Sequence, residues 1–254
     1  MVNSKENSKN IKHFQSDLLN KHKFNHAFFT KRYKNNNPIE LQTELNLTSN
    51  IHYMKQVHSN KVFKVNNTFY LKPKTGDCLI TKERSQSLWI YTADCIPILI
   101  ADIKTRSIAA CHSGLAGRKK RIISRTLKRF EEIGSDRNNL IIALGPSIEG
   151  DNYQVNIKDV NDLIIQITGK SYIEKSFLLI DEKTKELLPL FKKDPNTDKL
   201  LFDIKSAAIL QLYKEGIKQN QISINKLCTY SNPKLFNSYR RENTNSRQWS
   251  CIYS

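Results

Sequence analysis

The stretch from Leu88 to Ile122, LWIYTADCIPILIADIKTRSIAACHSGLAGRKKRI, constrains the fold more than any other part of this 254-residue chain. Apolar, β-rich runs at Leu88–Tyr91, Ile96–Ala101 and Ser107–Cys111 are separated by Asp, Pro and a Lys-Thr-Arg turn, which predicts successive strands followed by a Gly-bearing turn and the start of a helix. Cys95 and His112 fall at the ends of these runs, and Gln56-Val57-His58 supplies a second histidine upstream. A thiol and an imidazole at neighbouring strand ends can converge on a metal, or serve as a nucleophile and its base.

The rest of the chain supplies strands and helices in no regular alternation. Strands are expected at Phe24–Thr30, Ile51–Val57, Lys61–Val65, Cys78–Thr81, Leu140–Leu144, Tyr153–Val155, Lys226–Tyr230 and Arg247–Tyr253. Helices are expected from Pro38, with Glu40 in its first turn, over Lys119–Ile133 ending at Gly134, over Ile157–Ile167, and over Phe202–Ile217 with Asp203 as N-cap. His58 then sits beside the His58-Ser59-Asn60 turn, and Asp77 reads as a turn residue of Thr75-Gly76-Asp77. Thr184–Asp198, with two prolines, reads as an irregular insertion, and Asn237–Glu242 as a turn carrying paired arginines. Without a βαβ cadence the expected class is α+β, with helices covering mixed or antiparallel sheets. Residues 1–23 are polar and read as a flexible tail or short surface helix; 24–254 reads as a single domain.

Charge and cysteine usage narrow the partners. The net charge of +17 could mark a nucleic-acid binder, but the lysines are spread from end to end, and Lys/Asn/Ile richness indicates a compositional bias instead. Five widely spaced cysteines with no CxxC pair indicate a reducing cytoplasm. No apolar run approaches the roughly 18 to 20 residues needed to cross a bilayer. Spacings of 37 and 17 residues between His58, Cys95 and His112 are too long for a zinc finger and suit strands meeting in a sheet. Taken one at a time, a lone cysteine such as Cys95 is more often a core thiol and a lone histidine such as His112 more often part of hydrogen-bonded structure.

The surrounding residues say more. Met54-Lys55-Gln56-Val57-His58-Ser59-Asn60-Lys61-Val62, Thr92-Ala93-Asp94-Cys95-Ile96-Pro97 and Cys111-His112-Ser113-Gly114 resemble, in order, the signature segments of the laccase-domain family, also called YfiH-like or peptidoglycan editing factor proteins. Gly76-Asp77, Leu144–Ile148 with Tyr153-Gln154-Val155, Cys228-Thr229, Ser238-Tyr239-Arg240-Arg241 and Arg247-Gln248 resemble its other landmarks, so the likeness spans nearly all of residues 25–254. It implies two packed sheets with helices outside. It implies a zinc, with copper as the alternative metal, held by His58, Cys95 and His112. It also implies a purine nucleoside enzyme that phosphorolyses adenosine, inosine and methylthioadenosine and deaminates adenosine; the expected partners are a purine nucleoside and phosphate, and the expected state is a monomer or homodimer. The family's usual His-Ala-Gly-Trp-Arg-Gly is here His112-Ser113-Gly114-Leu115-Ala116-Gly117 with Arg118 after it, and its early Gly-Gly is absent after Thr30-Lys31-Arg32-Tyr33.

On this reading Lys31, Arg32 and Arg118 are the candidates to hold phosphate. Asp94 is a general acid/base or the orienter of His112, or else caps a strand end. Three rivals remain open: a metal-free cysteine hydrolase with Cys95 as nucleophile and His112 as base, trimming a peptidoglycan precursor; a copper oxidase with Met54 as a weak axial ligand; and a non-enzymatic basic binder of RNA.

Overall fold

The computed structural model describes residues 11–33, 37–66, 73–169, 178–180 and 187–254, and of 178–180 and 187–189 the backbone alone. Two sheets face each other. In the six-stranded sheet the order is Ile222–Ile224, Leu140–Leu144, Ile96–Asp102, Ile108–Ser113, Cys78–Thr81 and Val62–Lys64. The five-stranded sheet runs His13–Phe14, Asn25–Phe29, Gln248–Tyr253, Gln86–Thr92, Asn50–His52. Both are mixed: three edge pairings, 222–224 on 140–144, 62–64 on 78–81 and 50–52 on 86–92, are parallel, and the remaining neighbours are antiparallel. This is the α+β arrangement of packed sheets with outer helices that the sequence led us to expect.

The core follows from the two-residue period of a strand. Along Ile96–Asp102 every residue is buried. Ile96, Ile98 and Ile100 pack with Ile122, Leu127 and Phe130 of the outer helix, whereas Leu99 and Ala101 pack inward with Phe28, Leu88, Ile90 and Ile252 of the other sheet. A strand covered on both faces needs an unbroken apolar run, and IPILIA supplies it. Outside the five-stranded sheet Phe29, Trp89 and Cys251 pack on Leu41 of the helix Pro38–Glu44, which Asn37 caps through Glu40 N.

Several boundaries differ from expectation for local reasons. The strand foreseen at 51–57 stops at His52, because the N–H groups of Val57, His58 and Ser59 turn to the carboxylate of Asp77. The helix foreseen over 119–133 is two, Leu115–Lys119 and Ile122–Glu132, broken by Arg121 at φ 63°. The break lets Lys120 O accept Asn60 Nδ2 and sends Lys120 Nζ to His58 O. The strand foreseen at 226–230 lies at Ile222–Ile224; Asn225 Oδ1 then accepts Leu227 N, an Asx turn that ends the ladder and leaves Cys228 one bridge to Ser147.

Within the insertion foreseen at 184–198, residues 184–186 lie outside the described residues, and Leu187–Pro189 and Phe191–Lys193 are short strands. The turn foreseen at Asn237–Glu242 contains the short helix Tyr239–Glu242, capped by Ser238. Of the tail or helix foreseen before residue 24, residues 1–10 lie outside the described residues; Asp17–Lys21 is a helix capped by Ser16, and its Leu19 is fully buried. Among the described residues no helix is long and apolar enough to cross a membrane.

Candidate metal centre

Strand register brings the site together. Antiparallel pairing sets Pro97 opposite His112 and Cys78 opposite Cys111, so the entry to one strand, the exit of the next and the entry to a third share one end of the six-stranded sheet. Val62 pairs in parallel with Cys78, which carries the turn preceding it, with His58, to that same end. His58, Cys95 and His112 each direct one ligand atom to a common place, and these atoms all lie within 4.8 Å of one another. Cys95 Sγ is 3.7 Å from His58 Nε2, and the two imidazole rings meet edge to face with centroids 4.7 Å apart. The three grade from exposed His58 through Cys95 to buried His112, so the cluster opens to solvent on the His58 side. Among the described residues it is the one group of three or more such side chains able to hold a metal.

The donor set suits a metal. One thiolate and two imidazoles match the borderline-soft chemistry of zinc and leave a fourth position for water or substrate. Gly114 leaves room for two of the three donors to stand where they do: a Cβ there would lie 2.7 Å from His58 Cδ2 and 2.8 Å from Cys95 Sγ. Asp77 completes the surroundings. Fully buried, it accepts His112 Nδ1–H at 2.8 Å, His58 N–H at 2.9 Å, and both the N–H and the hydroxyl of Ser59 at 2.6 Å.

The charges respond to one another. Burial opposes ionisation of Asp77, but the hydrogen bonds from His112 and Ser59 outweigh it and hold the carboxyl at about 2. Burial likewise pushes the Cys95 thiol up, and the charge and hydrogen bonds of His112 and His58 bring it down to about 6. His112, lowered by burial, is raised to about 9 by the Cys95 thiolate and by Asp77. In the metal-free protein this is a thiolate–imidazolium pair around neutral pH.

Asp94 does not orient His112; Asp77 does. The two oxygens of Asp94 accept Thr229 Oγ1 at 2.6 Å and Arg240 N at 2.7 Å, and its carbonyl accepts Ile148 N, while its backbone sits at φ 87°. That left-handed residue, immediately before Cys95, sets the turn that presents the thiol.

Arg118 is fully buried and gives Nη1–H to Ile204 O, whereas its Nε and Nη2 have no hydrogen-bond partner among the described residues. Burial lowers its pKa, and the charges of Tyr153, Cys95 and Asp203 act in the opposite sense, so the guanidinium feels the Cys95 charge. Tyr153, kept protonated by burial and by the Cys95 charge, lies under the Arg240 guanidinium at 5.0 Å, and Arg240 Nη1 donates to Gln154 O. Lys31 is exposed, with its backbone N–H on Leu235 O, and Arg32 has an unpaired Nε; among the described residues no hydrogen bond joins either to the three ligands. Met54 packs in the core between the sheets. Asp77, Gly114, Tyr153 and Arg240 are the residues that reading the sequence left without a role at this site.

Comparison with known proteins agrees with this picture. Residues 30–254 match the family described as multi-copper polyphenol oxidoreductase laccase. A Synechocystis sp. protein named purine nucleoside phosphorylase is 32% identical over 240 residues, 90% of this chain and 89% of its own length. The crystal structure of YlmD from Geobacillus stearothermophilus superposes with a TM-score of 0.77 at 19% identity, covering 91% of each chain. That of YfiH from Bacillus licheniformis gives 0.74 at 19%, covering 92% and 93%.

Proposed function

The chain belongs to the multi-copper polyphenol oxidoreductase laccase family, and from that premise we propose that it is a zinc-dependent purine nucleoside phosphorylase with adenosine deamination as a companion activity. The observation that carries the proposal is the pairing of an open His58–Cys95–His112 cluster with a buried guanidinium, Arg118, that has two donors to spare. Relatives named purine nucleoside phosphorylase support it.

In this reading His58, Cys95 and His112 hold the metal, which when bound supplies a Lewis acid beside the substrate. Arg118 holds phosphate through Nε and Nη2 in the bidentate manner that guanidinium offers to oxyanions. Phosphate attacks the ribose anomeric carbon, forming the C–O bond as the C–N bond to the purine breaks with its electron pair on nitrogen. Tyr153 carries a phenolic proton at neutral pH and is our candidate to donate to the departing base or to phosphate. Asp94 acts by position: with both oxygens already accepting hydrogen bonds, it fixes the Cys95 turn against Arg240 instead of shuttling a proton. Among the described residues this is the one cluster able to hold a metal, so whichever metal is bound there, zinc or copper, the chemistry would be that of one ion.

A second reading is favoured by one observation. Asp77, His112 and Cys95 stand in the carboxylate–imidazole–thiol order of a cysteine hydrolase, for which a peptidoglycan precursor is the substrate class. One experiment separates the two. Purified protein of measured metal content is incubated with adenosine, with and without phosphate, and the products are identified. Adenine and ribose 1-phosphate appearing only with phosphate support phosphorolysis, and inosine supports deamination. Neither product from a zinc-loaded sample refutes the proposal, and a sample that purifies without zinc and hydrolyses an added peptidoglycan precursor in a thiol-dependent way supports the second reading.

A further inference from the structure

A metal site of this kind needs both histidines aimed at one point before the ion arrives, yet they come from unrelated segments. His112 ends a strand in the middle of the sheet, and His58 rides an exposed turn with its backbone at φ 55°, a left-handed conformation that a non-glycine residue adopts only when something holds it there. Asp77 touches both. Its Oδ1 accepts His112 Nδ1–H at 2.8 Å, which leaves Nε2 of that ring as the ligand nitrogen, and the same atom accepts His58 N–H at 2.9 Å and Val57 N–H at 3.2 Å. Its Oδ2 accepts Ser59 N–H and Ser59 Oγ–H, each at 2.6 Å. Its own chain is fixed too, since His112 N donates to Asp77 O and Asp77 N to Lys61 O.

We infer that Asp77 is the common mount of the two histidine ligands: a positioning residue that sets the tautomer of one and the backbone of the other, so that both arms of the metal site stand or fall together. The inference rests on the metal reading of the site but not on the phosphorylase assignment. A carboxylate is required because each of its oxygens faces donors alone. The amide of an asparagine could serve the His112 and His58 side or the Ser59 side, and would present its own N–H groups to donors on the other.

Loss of a partner that orients a single metal ligand lowers affinity by about 10–100-fold. With two ligands on one mount, Asp77→Asn is expected to lower zinc and cobalt affinity by about 100-fold or more, measured by competition with a chromophoric chelator and without nucleoside. In the cobalt-loaded variant at saturating metal the thiolate charge-transfer band should persist, because Cys95 is held by a different turn, while the ligand-field bands move as imidazole is lost. Wild-type affinity and spectrum in Asp77→Asn overturn the inference. If that variant does not fold, Ser59→Ala decides, since it keeps the Ser59 N–H on Oδ2 and removes the hydroxyl's bond to Oδ2 together with the bond that hydroxyl accepts from Lys61 N–H: a loss of about 10-fold is expected, and unchanged affinity overturns the mount. Wild-type protein that takes up neither metal overturns it as well, whereas wild-type protein that binds metal but leaves adenosine intact refutes only the phosphorylase reading.

Discussion

Gly114→Ala tests whether His58 and Cys95 must stand where they do for the proposed metal site to form. The backbone of Gly114 sits at φ −85°, ψ 171°, a conformation open to any residue, so the substitution brings no backbone strain and tests volume alone. The added methyl would approach His58 Cδ2 to 2.7 Å and Cys95 Sγ to 2.8 Å, with His58 Nε2 at 3.3 Å. Carbon atoms in contact prefer about 3.5–4.0 Å, so ring and sulfur must each retreat by roughly 1 Å. Both are the ends of side chains, and the fold can absorb the change at the usual overpacking penalty of about 1–3 kcal/mol. In a chain of this size each kcal/mol lowers Tm by about 2–4 °C. A metal site tolerates about 0.2 Å in its ligand distances, several times less than the displacement. Gly114→Ala is therefore expected to fold, to melt a few degrees lower, and to lose zinc affinity by at least about 100-fold in chelator competition. If it binds zinc within a factor of two of the wild type, the three side chains do not form the metal site.

Other outcomes follow from the same geometry. Cys95→Ala should reduce bound metal from about one per chain to none and abolish release of adenine from adenosine; normal adenine release by this variant would sink the site assignment. In metal-free protein Cys95 should be alkylated by iodoacetamide with a rate that rises through about pH 6, because the depressed thiol becomes thiolate above that value while His112 stays protonated until about 9; a midpoint near the ordinary 8.5 contradicts the ion pair. Stability should also carry the signature of Asp77. Its carboxyl is depressed from 3.8 to about 2, so its contribution is whole above about pH 4 and lost as pH falls toward 2, and urea midpoints in Asp77→Asn should lack that segment of the acid decline.

What the sequence disclosed, and what it hid, divides along physical lines. Cys95 and His112 were legible because short unbroken apolar runs mark buried strands and both residues stand where a strand ends. His58 was legible from its turn. Asp77 was not: its partners lie 19 and 35 residues away, and nothing local separates a buried hub from the ordinary turn aspartate it resembles. The break at Arg121 was hidden for a related reason. The apolar spacing of Ile122, Ile123, Leu127 and Phe130 is true of the second helix, but that Lys120 and Arg121 must leave the helix to reach the His58 turn is a tertiary demand. Of the roles open to Asp94, orienting His112 is taken by Asp77, and the partners that Asp94 does have, Thr229 and Arg240, lie 135 and 146 residues away, beyond the reach of local reading.

Arg118 was named from the sequence as a candidate to hold phosphate, and its surroundings show what such a role would require. It opens the run Arg118-Lys119-Lys120-Arg121 and is wholly buried. An unpaired buried charge is unfavourable by several kcal/mol, and each unsatisfied donor by about 1–3, so a guanidinium with free Nε and Nη2 is a standing penalty that a bound oxyanion would offset. Binding linkage turns this into a measurement. Phosphate at 100 times its Kd stabilises the folded chain by about 2.7 kcal/mol, or about 5–11 °C in Tm at this length. Arg118→Met keeps much of the volume and removes the charge, so it should melt no lower than the wild type without phosphate and fail to respond to it, with the KM for phosphate raised about 10–100-fold if turnover survives. Equal phosphate shifts in the two proteins would mean that the anion sits elsewhere, and that the buried arginine serves only Ile204.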